Sequence, residues 1–167
     1  MALFNNLWNL FGFNHNEKPL QQSRLQVKTD LEAIREVWQW FEQFTSPLLP
    51  QLFWWECEVA LTEGFTNVVR HAHQHLPQTT PIEIELKVCA QYLEIRIWDW
   101  GKPFDLQAEL QSLYQKQAEL QALSQEQPDT PLPEGHRGLI FMDQFMDELD
   151  YLRGSDGRNC LLLRKRR

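Results

Sequence analysis

At 167 residues, with 43% hydrophobic and 23% charged residues, the chain has the size and composition of one soluble globular domain able to bury roughly two thirds of its unfolded surface. The formal net charge of −7 argues against general affinity for nucleic acid or anionic membrane, since either needs a basic face, and no apolar run has the length of a membrane span. Cys57, Cys89 and Cys160 are far apart and odd in number, which argues against a disulfide framework or a zinc knuckle and fits the reduced cytoplasm.

Met1 to Phe13 is apolar without a basic leader or a small-residue cleavage site, so residues 1–22 read as an arm and its link, and 23–167 as the folded domain. Residues 23–28 alternate Leu25 and Val27 with polar neighbours, predicting an edge strand. Thr29 or Asp30 then caps a helix whose inward side is Leu31, Ile34, Val37, Trp38 and Phe41 and which stops before Pro47. A second helix is predicted over 55–75. Its stripe of Cys57, Leu61, Phe65, Val68 and Ala72 faces the core. A third of a turn away, Glu63 and Asn67 stand four apart with Arg70 and His71 further along, so that a carboxylate and an amide oxygen look over one place. His71 and His75 are also four apart, a zinc-pair spacing, yet no acid residue completes a metalloprotease motif.

Ile82, Ile84, Leu86 and Val88 alternate with charged residues, as do Leu93, Ile95 and Ile97, predicting two strands joined by a turn at Ala90 and Gln91. The same parity turns Asp99 inward, where a carboxylate is costly unless something donates to it. Trp98 and Trp100 fall on the opposite side as an exposed aromatic pair, a candidate protein interface. Leu106, Leu110, Leu113, Leu120 and Leu123 sit at helical spacing before Pro128, Pro131 and Pro133, which reads as a long, partly helical and mobile lid over 106–134. Residues 135–138 open a helix with Leu139, Met142, Phe145 and Met146 inward. A closing hairpin of 149–153 and 160–163 follows, and Arg164 to Arg167 is a solvated basic end. The order predicts an α/β (α+β) two-layer sandwich with helices on one face of a mostly antiparallel sheet.

Three motifs occur in sequence: Glu63-Gly-Phe-Thr-Asn67 with Val-Val-Arg-His71, Asp99-Trp-Gly-Lys-Pro-Phe-Asp105, and Glu134-Gly-His-Arg-Gly-Leu139. Across residues 23 to 165 they resemble the GHKL ATPase superfamily, and within it the anti-sigma factors that are also serine-protein kinases, the RsbW and SpoIIAB type. The resemblance implies a Bergerat-type fold that binds ATP with Mg²⁺. It implies Glu63 as the catalytic base and Asn67 as the metal ligand. Around the nucleotide it implies Asn67, Arg70, His71, Asp99, Gly101, Pro103, Phe104, Gly135, Arg137, Gly138 and Leu139, with 106–134 as the ATP lid. It also implies a cytoplasmic homodimer that phosphorylates a serine or threonine of an anti-sigma-factor antagonist and sequesters a sigma factor, with neither nucleic acid nor membrane as a direct partner. His136 stands where the family usually has a second glycine, which favours an alternative reading, a non-catalytic, nucleotide-responsive protein-binding module. A sensor histidine kinase is disfavoured, because there is no room for a separate dimerisation helix pair carrying a phospho-accepting histidine.

Overall fold

The computed structural model describes residues 17–126 and 137–167, with side chains described through Ala122 in the first stretch. Five strands form one sheet: β1 Gln21–Lys28, β2 Pro81–Val88, β3 Tyr92–Asp99, β4 Glu148–Arg153 and β5 Asn159–Arg166. Their order across the sheet is β1-β2-β3-β5-β4, and every neighbouring pair is antiparallel. The described helices are α1 Ile34–Glu42, α2 Gln51–Asn67, α3 Leu106–Glu126 and α4 Arg137–Phe145. The α+β sandwich predicted from the alternating strands is the observed architecture.

The core lies between the sheet and α1, α2 and α4. Ile82, Ile84, Leu86, Ile95, Ile97 and Leu163 face the helices, and Val37, Phe41, Leu61, Phe65 and Met142 close on them. β1 is at the sheet edge, as its short alternation predicts, and its Val27 reaches the core. Asp30 caps the single 3-10 turn before α1, its carboxylate accepting from the Glu32 amide at 3.0 Å. Asp30→Ala should therefore cost about 1 kcal/mol of folding stability, readable as a lower urea midpoint with an unchanged slope.

The structure corrects the predicted elements in several places. In α1 the inward tryptophan is Trp40, whose indole donates to Ser23 Oγ at 3.1 Å; Trp38 is 38% exposed and donates to Thr62 Oγ1. Leu31 is turned outward because the tighter 3-10 turn rotates it off the α-helical stripe. α2 begins at Gln51, directly after Pro50, rather than at Trp55, because Trp54 is drawn in by a 2.9 Å bond to Ser46 O. It also ends early, at Asn67, and Val68–Ala72 winds as a π turn closed by His73 N donating to Val68 O at 2.8 Å. The segment after β3 opens with a helix of 21 residues, in keeping with the partly helical stretch expected there, and Leu106, Leu110 and Leu113 are each 5% exposed. Tyr114 ties that helix to α4 by donating to Asp143 Oδ2 at 2.6 Å. Pro128, Pro131, Pro133, Gly135, His136 and the side chain of Leu123 lie outside the described residues, as does residues 1–16 of the arm.

Only the last two residues of the basic end, Arg166 and Arg167, are exposed as expected; Arg164 is buried and Lys165 half-buried. Arg164 to Arg166 continue β5 beside β3, because Arg164 finds two carboxylates there: Nε lies 2.6 Å from Glu94 Oε2 and Nη1 2.7 Å from Glu148 Oε2. Lys165 reaches Glu56 on α2 at 2.8 Å. The expected aromatic pair is likewise split. Trp98 is covered by the Arg158 guanidinium 4.8 Å above its ring, while Trp100, past the end of β3, is exposed. All three cysteines are buried thiols, and burial pushes Cys57 and Cys160 up to about 12, which removes them as nucleophiles near neutral pH. Among the described residues no helix is long and apolar enough to cross a membrane.

Candidate functional site

Two clusters of predicted site residues form, one where α2 meets the start of α4 and the other around the end of β3. The first depends on a glycine inside α2. A Cβ at Gly64 would lie 2.6 Å from Ile97 Cδ1 and 3.1 Å from Leu161 Cδ2, so a larger residue would have to displace these buried side chains where the helix crosses the middle of the sheet. That seating presents Glu63, half-buried, to the first turn of α4. There a Cβ on Gly138 would run into the Glu63 carboxylate, with its Cδ at 3.1 Å. Glu63 and Gly138, predicted from separate motifs, are thus in contact. Asn67 is half-buried at the last α-helical position, one turn on from Glu63.

The second cluster surrounds Asp99, which is buried and turned inward as the strand parity predicts. Its Oδ1 accepts from the Gly101 amide at 2.7 Å and from Asn159 Nδ2 at 2.8 Å, and its Oδ2 from the Tyr151 hydroxyl at 3.3 Å. Asn159 also donates to Gly101 O at 3.0 Å, which fixes the turn after β3. Burial first, then the charge of Asp99, pushes the Tyr151 phenol up, so that it stays a protonated donor. A carboxylate offers roughly four acceptor positions, and these bonds use three. One is unfilled by any described residue, on a side chain 2% exposed. Phe104 lies with its ring centre 4.3 Å from that of Tyr151, giving this acceptor an aromatic neighbour with an exposed edge.

The other predicted residues are less drawn in. Arg70 and His71 sit on the π turn, exposed, and their side chains make no hydrogen bond or ion pair with another described residue. The wider turn interrupts the α-helical spacing that would carry them along the line of Glu63 and Asn67. Pro103 and Arg137 are exposed, and Leu139 packs partly against the core. Among the described residues no group of three His, Cys, Asp or Glu is gathered for a metal. His71 and His75 are exposed on either side of a buried His73. An open surface groove lined by Gln26, Asp30, Glu36 and Pro81 lies at the β1 edge and contains none of the predicted residues.

Sequence reasoning missed Tyr151, Asn159 and His73. Asn159 opens β5 directly opposite Asp99 in the ladder, a pairing that depends on the order and register of strands sixty residues apart. The available signal was a polar residue at the head of an apolar strand. Gly64 carried a stronger one, since a glycine within a helical run is costly and marks a close approach.

A model of the histidine kinase-like ATPase domain matches residues 27–165, a stretch that holds both clusters. The serine-protein kinase RsbW of Bacillus licheniformis is 34% identical over 94 residues, which make up 56% of this chain and 54% of that protein. The chain thus spans about half the length of the curated relative it matches.

Proposed function

The chain belongs to the histidine kinase-like ATPase domain family, whose domains bind ATP, and from that premise we propose that it is an anti-sigma factor with serine/threonine-protein kinase activity. The observation that carries the reading is the meeting of Glu63 with Gly138, which sets a carboxylate beside the start of a helix one turn before Asn67. Asp99 accepts from the exocyclic amine of adenine, which selects ATP against GTP, whose keto oxygen would face a carboxylate. The exposed edge of Phe104 is the neighbouring wall. Asn67 holds Mg²⁺, a hard ion that takes oxygen ligands. The amides at the start of α4, with Gly135, Arg137, Gly138 and Leu139, receive the phosphates, favoured there by the helix dipole. Arg70, His71, Gly101 and Pro103 complete the nucleotide's surroundings. Bound ATP supplies the γ-phosphoryl group. Glu63 orients the serine hydroxyl of the acceptor and takes its proton as the new P–O bond forms and ADP leaves.

The acceptor is an anti-sigma-factor antagonist protein, and its phosphorylation frees this chain, as a homodimer, to hold a sigma factor. The residues present suit the nucleotide in one testable respect, the acceptor position left on the buried Asp99. Mg-ATP at a hundredfold excess over its dissociation constant should add about 2.7 kcal/mol and raise the unfolding midpoint by roughly 5–10 °C. Mg-GTP should not, and Asn67→Ala should abolish the rise. A flat response to every nucleotide would sink the reading. ATP binding without phosphotransfer would favour the module that His136 suggests, one that changes partners with nucleotide and performs no chemistry.

A further inference from the structure

His73 is buried, and both of its ring nitrogens are engaged. Nδ1 lies 2.7 Å from Thr29 Oγ1, and the Thr29 hydroxyl donates to Thr80 O, also at 2.7 Å. The Thr29 proton is therefore committed, and its oxygen accepts from Nδ1–H. Nε2 lies 2.9 Å from the Trp100 amide, which can only donate, so Nε2 carries no proton. The ring is neutral and in the Nδ1–H tautomer. It joins the end of β1 and the turn before β2 to the loop after β3. The preceding residue adds a second contact to the same loop: a Cβ on Gly101 would lie 2.6 Å from Ala72 O and 2.7 Å from Ala72 Cβ. Residues 99–101 are thus docked on residues 72–73 by one hydrogen bond and one close backbone approach.

We infer that His73 is a positioning residue for the base pocket: as a neutral ring it holds the Trp100 amide and with it the aim of Asp99, and once protonated it releases the loop and weakens nucleotide binding. The inference rests on the reading of Asp99 as the adenine acceptor. Protonation would set N–H against N–H across the contact to Trp100. Among the described residues the charge acting on the ring is that of Asp99, from β3; Thr29, Thr80 and Trp100 meet it with uncharged groups. Burial pushes the ring below the ordinary value of 6.5, and Asp99 opposes that shift. The neutral form is thus favoured in the folded protein. The latch is intact above the ordinary imidazole range and opens as pH falls through the lower folded value, and folding stability declines in the same direction.

The test uses the full chain, with ADP as the probe. Glutamine carries its amide oxygen to the place of Nε2 and cannot be protonated there, whereas leucine removes both bonds. ADP affinity should fall by about tenfold more in wild type than in His73→Gln between about pH 8 and about pH 5. Taking the ratio of the two proteins removes the titration of the phosphates. In the nucleotide-free protein, nitrogen-15 spectra should show the Nδ1–H tautomer for His73. Exchange of the Trp100 amide should speed up at least tenfold in His73→Leu and stay slow in His73→Gln. Parallel pH profiles in wild type and His73→Gln, an Nε2–H tautomer, or unchanged Trp100 exchange in His73→Leu would each overturn the inference. Absence of ADP binding by wild type at every pH would defeat the nucleotide reading and with it the pocket role, while the tautomer and the amide exchange would still decide the latch.

Discussion

Glu63→Gln should lower phosphotransfer from ATP to a serine of an anti-sigma-factor antagonist by about 10²–10⁴, while Mg-ATP still raises the unfolding midpoint. Glutamine keeps the shape that meets Gly138 and the helix seating provided by Gly64, and removes only the capacity to take a proton. A larger residue at position 138 would have to push aside the Glu63 carboxylate, the group proposed to do the chemistry. Single-turnover measurement separates the chemical step from product release. Undiminished transfer would remove Glu63 as the base. A loss of transfer together with the loss of the ATP-induced stabilisation would assign it to binding instead.

Arg164→Met should cost about 3–5 kcal/mol of folding stability and lower the midpoint by roughly 6–20 °C. Arg164 and Glu94 are 3% and 2% exposed, and the arginine bridges Glu94 and Glu148 across β3, β5 and β4. Its removal leaves Glu148 Oε2 without that donor, beside an Oε1 that already has no hydrogen-bond partner among the described residues. Glu94 retains Arg96 at 2.8 Å and Lys87 at 3.5 Å, which argues for the lower part of the range. Since the cost is that of stranded carboxylates, replacing Glu94 and Glu148 by apolar residues of similar volume in the same chain should recover most of it. A loss below about 1 kcal/mol in the single variant would mean that the cluster is hydrated, with the energetics of a surface pair.

Periodicity alone determined much of this protein. The alternation of Ile82 to Val88 and of Leu93 to Ile97, the helical stripe of Cys57 to Val68 and the caps and turns around them gave the strands, helices and their inward faces, because a two-residue and a 3.6-residue period are local properties of the chain. Parity even turned Asp99 inward before anything was known of its neighbours. Tertiary structure decided what those periods cannot carry. Charge made Arg164 look like a solvated end, and only the seating of β5 between β3 and β4 brought two carboxylates to it. The spacing of His71 and His75 said nothing of the residue between them, and only the π turn drove His73 inward onto Thr29 and Trp100 while leaving its neighbours in solvent. The donors to Asp99 come from Tyr151 and Asn159, and Glu63 meets Gly138 across α2 and α4. Strand order, register and helix seating join residues that are distant in sequence, and these follow from how the whole core packs, which no single segment encodes.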